Sequence, residues 1–190
     1  MRNLILICAA VVLAACGPSG RDTALAKTAR YQGDKIAIFG AVKTTTESKY
    51  KLAMSDETTL TLQTVGRWYT PEGLVSTSGE QDIRQVPDRS INIVLLVKLL
   101  PEGDNWVVHV QPKMTRINKG SPMPEPLAPN DASLPGWATG KVDQLAFEIH
   151  DALKSYEVKA AGGNVAPPPA TDPASAPAVD PTAGSGSATP

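Results

Sequence analysis

Cysteine is nearly absent from this 190-residue chain, and the two it has, Cys8 and Cys16, fall within the first sixteen positions. A domain built from the remainder has no thiol. It forms no disulfide, offers no thiolate nucleophile, and must be held by an ordinary hydrophobic core. Histidine is as scarce, with only His109 and His150. Neither has a second His or a Cys at metal-ligand spacing, so two surface histidines are expected and no metal site. Charge of one sign is missing too: 18 basic residues stand against 19 acidic ones, with no cluster of Lys or Arg. That removes the electrostatic footprint of a nucleic-acid binder and of a polybasic membrane-surface segment. Catalytic signatures are lacking as well. There is no G-x-S-x-G elbow, no H-E-x-x-H and no phosphate loop, since Gly66-Arg67-Trp68-Tyr69 has one glycine and no G-K-[ST]. Asp82 with Asp88, or Glu102 with Asp104, are carboxylate pairs of the kind acid–base chemistry uses, but solvated turn charges account for them. The chain reads as non-enzymatic and without a cofactor.

Long hydrophobic runs are confined to the start, MRNLILICAAVVLAACGPSG. Arg2 is a short positive opening, Leu4 to Leu13 is uncharged and apolar, and small residues precede Cys16. This is the layout of a secretory signal, and it is too short for a transmembrane helix, which needs about 20 apolar residues. The stretch Leu13-Ala14-Ala15-Cys16 resembles the lipobox of bacterial lipoproteins: an aliphatic residue, two small residues and Cys. The resemblance implies cleavage after Ala15 and acylation, palmitate included, of Cys16. More than one acyl chain gives stable anchoring, at about 0.8 kcal/mol per buried CH₂. Gly17 rather than Asp follows the cysteine, which in bacteria with two membranes implies the periplasmic face of the outer membrane. Later apolar runs such as Ile93–Val97 are only strand-sized.

The expected organisation is a signal peptide at 1–15, a lipidated cysteine and tether at 16–33, one domain at 34–158, and a Pro/Ala-rich tail at 159–190. From Ala160 onward the chain has no aromatic, Leu or Ile, and only Asp172 and Asp180 are charged. Such a segment cannot offset its ordering entropy by burial, so disorder is expected. It reads as an inert tail or as a spacer reaching the cell wall or a partner.

Within the domain the strongest signal is a hairpin, Ser90–Leu100 and Asn105–Ile117, joined by the turn formers Pro101-Glu102-Gly103-Asp104. Trp106, Val108, Val110 and Met114 share one face of the second strand, and Val107, His109, Gln111, Lys113 and Thr115 the other. On the first strand Ile91, Ile93, Leu95, Val97 and Leu99 point one way, while Val94 and Leu96 point the opposite way. A helix is expected over Lys141–Val158, with Val142, Leu145, Ile149, Ala152, Leu153 and Tyr156 as its apolar stripe, packed on the hairpin. Lys35–Thr46 and Lys49–Met54 are ambiguous segments that could be strands. Asp56–Val65 carries caps at both ends and is read as a helix, although its threonines and the Leu60/Leu62 alternation favour a strand. Thr70-Pro71-Glu72-Gly73 reads as a tight turn followed by a strand at Leu74–Ser78, and the prolines of Ser121–Pro135 as an extended loop.

The fold class that results is α+β: a single two-layer domain, an antiparallel sheet of three to five strands with helices on one face, plus the disordered tail. From about residue 50 to 158 the order of elements resembles the helix-grip domains of outer-membrane assembly lipoproteins. The proline loop departs from that pattern, and no functional residue carries over. Val94 and Leu96, with the rings of Trp68 and Tyr69, form the candidate partner or ligand surface. The function expected is that of an envelope accessory or assembly lipoprotein. It is anchored to the membrane by its acyl chains, binds an envelope protein and does not engage nucleic acid. The alternative is a carrier or sensor holding an apolar ligand between sheet and helix.

Overall fold

A computed structural model describes residues 18–76, 83–121 and 123–158. The expected signal peptide, Cys16 and the expected disordered tail lie outside the described residues. In chain order the elements are α1 (Gly20–Thr28), α2 (Lys35–Glu47), β1 (Leu52–Asp56), β2 (Thr61–Thr64), β3 (Arg67–Tyr69), β4 (Ile91–Glu102), β5 (Asn105–Arg116), β6 (Glu125–Leu127) and α3 (Gly136–Ala152). The α+β class holds. The strands make one antiparallel sheet in the order β1-β2-β4-β5-β6, and β3 joins β4 on the edge that β2 also uses.

The long hairpin is the frame. All twelve residues of β4 pair with β5, from Ile91 opposite Arg116 to Glu102 opposite Asn105. The turn is tighter than its four turn formers suggest, only Gly103 and Asp104, and Gly103 supplies the left-handed φ of 61° that it needs. The apolar residues divide by parity as the period-two pattern requires. Ile91, Ile93, Leu95, Val97 and Leu99 are buried against the helices, together with Val108 and Met114 from β5.

Residues 61–69 run along β4 as one bent strand. At its bend a Cβ on Gly66 would lie 2.6 Å from Asn92 Oδ1 and 3.2 Å from Val94 Cγ2, so only glycine lets the bend close down on β4. Asp56–Val65 is therefore not a helix. Asp56 Oδ1 accepts the N–H groups of Thr58 (2.8 Å) and Thr59 (3.2 Å), which closes a turn between β1 and β2. The β-branched threonines and alternating leucines then enter β2, with Leu62 buried. The reverse correction applies at Lys35–Thr46, which is α2. Asp34 Oδ1 accepts from Ile36 N (3.0 Å) and Ala37 N (2.8 Å), and the helix buries Ile38, Phe39, Val42 and Thr46 along one side. The Thr70–Gly73 turn is present, closed by Gly73 N–H to Thr70 O at 2.9 Å. Of the strand expected next, only a single bridge from Val75 to Tyr69 is seen, and residues 77 and 78 lie outside the described set. The proline loop holds a short strand, β6.

Helix α3 starts five residues earlier than expected, at Gly136, and ends at Ala152, where Leu153 leaves helical geometry with φ −97° and ψ 6°. Val142, Leu145, Ile149 and Leu153 are buried as the stripe requires, but Ala152 is exposed. The described part of the expected tether is folded. Ser19 caps α1, Lys27 pairs with Asp143 of α3 at 2.6 Å, and Tyr31 is only 1 % exposed. Tyr31 joins both ends of the fold. It exchanges backbone hydrogen bonds with Trp106 (2.8 Å each way) and pairs with Glu157, and Val158 N–H reaches Arg30 O at 2.9 Å.

Candidate functional site

The space between sheet and helices is filled by one cluster that includes Tyr31, Phe39, Leu62, Leu95, Leu145, Ile149 and Leu153. The other face of the sheet is different. Cross-strand pairs point to the same side, so Val94 with Lys113, Leu96 with Gln111, Lys98 with His109, and Leu100 with Val107 all face outward. Gln63 joins them opposite Leu96, and Trp68 opposite Asn92. Val94, Leu96, Lys98, Leu100 and Val107 are half-buried, and His109, Gln111 and Lys113 are exposed. No described helix covers this side.

The expected surface residues therefore separate. Trp68, Val94 and Leu96 come together on the outer face. Tyr69, one residue along the same strand, points the other way and is buried. Leu100, Val107 and the cations Lys98 and Lys113 complete the surface; alternation alone puts Val107 and Lys113 on this side of β5 but does not say which residues of β4 stand beside them. The register of Ser90–Leu100 on Asn105–Ile117 is the signal that could have found them. Among the described residues the ion pairs are Lys27–Asp143, Arg30–Glu102, Lys49–Glu148, Arg116–Glu125 and Lys154–Asp151. None of them uses Lys98 or Lys113. The nearest carboxylate by register is Asp56 at the margin of the sheet, already engaged by Thr58 and Thr59.

Tyr69 takes part in an inner cleft instead. Its ring packs 5.5 Å from Trp137, and Lys141 Nζ lies 5.7 Å from its centroid. Beside it the Arg67 guanidinium stands 5.1 Å over Tyr50. Burial, with Tyr69 adjacent, pushes the Tyr50 phenol up to about 12. The stack is anchored at the Thr70–Gly73 turn, where Trp137 Nε1 donates to Pro71 O at 2.9 Å. Gly73, at φ +86°, lies so close that a Cβ there would sit 2.8 Å from Trp137 Cγ. A wider groove of about 660 Å³ opens between α1 and the start of α3, lined by residues such as Ala24, Lys27, Trp137 and Asp143.

The histidines differ from each other. His109 is exposed on the outer face, as expected. His150 is buried, contrary to the expectation of a surface residue, because α3 turns it toward Tyr31, whose hydroxyl lies 3.1 Å from Nδ1. Burial first, and the nearby Glu157 second, raise the Tyr31 phenol well above its ordinary range, which keeps its hydroxyl protonated in this contact. Among the described residues no group of three His, Cys, Asp or Glu side chains is placed to hold a metal ion. No helix among them is long and apolar enough to cross a membrane. No family model matches the chain, and no curated protein matches it significantly.

Proposed function

We propose that this chain is a lipid-anchored cell-envelope protein that acts without catalysis, holding a partner protein on the outer face of its sheet. In this reading acylated Cys16 fixes it to the periplasmic face of the outer membrane, and the domain is an accessory or assembly factor. The observation that carries the reading is the outer face itself: Trp68, Val94, Leu96, Leu100 and Val107 half-exposed around Lys98 and Lys113, which have no ion-pair partner among the described residues. Exposed apolar surface rimmed by polar groups marks interaction sites, and the lysines select a partner that brings apolar and acidic groups together. The packed central cluster favours this over carriage of an apolar ligand between sheet and helices, since the cavity beside Val108 and Ala146 lies only at the edge of β5.

The test is a photo-crosslinking residue placed at Leu96 in the native host, with a second at Gly40, an exposed helix position with nothing within 4 Å of its Cβ site. The expected result is one discrete adduct from position 96, none from position 40, and loss of the adduct when Lys98 and Lys113 are changed to Glu. Val94→Asp with Leu96→Asp is expected to leave a folded monomer that captures nothing. Unfolding of that double variant would make these residues ordinary core and end the reading.

A further inference from the structure

The edge of β5 on the side away from β4 is paired at both ends but not over its middle among the described residues. Parity fixes what it presents. Trp106 exchanges both backbone bonds with Tyr31, so the even-numbered residues of β5 direct N–H and C=O outward, away from β4. Leu99 N–H, opposite Val108, bonds Leu60 O on the far side of β4, which agrees. The proline of β5, Pro112, sits at such an outward position, where β4 asks for no N–H. At one end the edge is taken by Tyr31, and at the other β6 covers Met114–Arg116. Between them Val108–Pro112 has no partner strand among the described residues. The outward N–H and C=O of Val108 and Val110, and the C=O of Pro112, bond no other described residue. Beside this gap lies a cavity of about 240 Å³ lined by Lys27, Val108, His109, Val110, Gln111 and Ala146.

We infer that this gap receives an extended segment of the partner protein as an added strand. It rests on the partner-binding reading above but uses a different surface, backbone groups in place of side chains. The five-residue gap spans roughly 17 Å, the length of a short strand. Incoming residues opposite Val108, Val110 and Pro112 point into the cavity and meet Val108, Val110 and Ala146, so they are apolar. Those opposite His109 and Gln111 point to the outer face, toward the side that carries Lys98 and Lys113, so they are acidic. Lys27 adds no demand, being paired with Asp143. The segment thus alternates apolar and acidic residues. This chain's own residues 160–190 do not fit, since they contain no Leu, Ile or aromatic and are interrupted by proline.

The experiment titrates the full chain into a fluorescein-labelled, end-blocked nonapeptide of alternating valine and glutamate and follows anisotropy. Saturable binding is expected. N-methylation of the peptide at the valines, which removes the donors facing the edge, should weaken it at least ~10-fold. Val110→Pro should do the same while leaving the β4 pairing intact, as Pro112 does. Lys113→Glu should shift preference to a second, otherwise identical nonapeptide in which lysine replaces glutamate. Peptide binding without an adduct from position 96 would keep the edge and end the outer-face reading, and an adduct without peptide binding would do the reverse, which separates the two failures. No binding up to about 1 mM peptide, or equal binding of the N-methylated peptide, overturns the inference. So does self-association of the chain through this edge, which would make the occupant a second copy.

Discussion

Truncating Leu153 to Ala tests the packing of the whole domain. Leu153 is 0 % exposed and lies one residue past α3, in the same buried cluster as Ile149, Leu145 and Phe39. Its backbone is pinned, with its N–H bonded to Ile149 O at 3.0 Å and His150 O at 3.1 Å, so the chain cannot sink into the space the side chain leaves. Leu→Ala substitutions in cores cost about 2–5 kcal/mol, more where the site cannot collapse, which places this one in the upper half of that range. With an unfolding entropy of about 2.1 cal/mol/K per residue over roughly 140 ordered residues, each kcal/mol lowers Tm by roughly 3–4 °C. The expected fall is therefore about 10–17 °C in a thermal melt followed by circular dichroism, with a matching loss in urea at unchanged slope. Leu25→Ala on α1, where the side chain is half-exposed, is the control and should stay within about 0.5 kcal/mol. A Leu153→Ala protein as stable as that control would mean that the end of α3 does not seal the core.

Beyond the crosslinking and the peptide titration, three further outcomes are expected. Gly73→Ala should cost about 2–3 kcal/mol, because it combines a left-handed φ with displacement of Trp137. Gly103→Ala, also at positive φ but in open space, should cost only about 1 kcal/mol, and equal losses in chemical denaturation would remove the role given to Trp137. Tyr50 and Tyr31 have phenols raised above the unfolded value of about 10. Their contribution is present below pH 10 and is lost as pH climbs through 12, so Tm should fall steeply over that window and less so in Tyr50→Phe; a flat Tm there would contradict their burial. Cys16→Ser should leave the protein unacylated and release it from membranes, and intact mass of the native protein decides this, since an unmodified mature N-terminus at another residue ends the proposed anchor.

The hairpin is legible in the sequence because two independent signals agree, a period of two in the apolar residues and a cluster of turn formers between them. Elsewhere one signal is not enough. Asp34 and Asp56 make the same pair of hydrogen bonds, to the N–H groups two and three residues on, yet one opens a helix and the other closes a turn. A helix cap and an Asx turn are locally the same contact. The residues downstream of each aspartate decide between them: Ile38, Phe39 and Val42 can share a helical side, whereas Thr61, Leu62 and Thr64 lie along β4. That outcome depends on tertiary pairing, which the segment alone does not carry. The same holds for the candidate surface. Val94 and Leu96 are readable by alternation. Tyr69 can be grouped with Trp68 only while their segment is taken as irregular, because a strand sends neighbouring residues to opposite faces. The Tyr31–His150 contact joins positions 119 apart and leaves no local trace.

The closure of the chain on itself at Tyr31 has a mechanical meaning. Arg30 and Val158 are the last residues of an antiparallel pairing, and both chain directions leave it from the same end. Tension entering through the two termini would first strip α1 from α3 and then meet this pairing end-on, so its bonds would part in succession like a zipper and not together in shear. A domain with a well-packed interior can thus yield to a modest pull. If the proposed anchor and partner both hold the chain, the direction of loading would decide how long it stays folded.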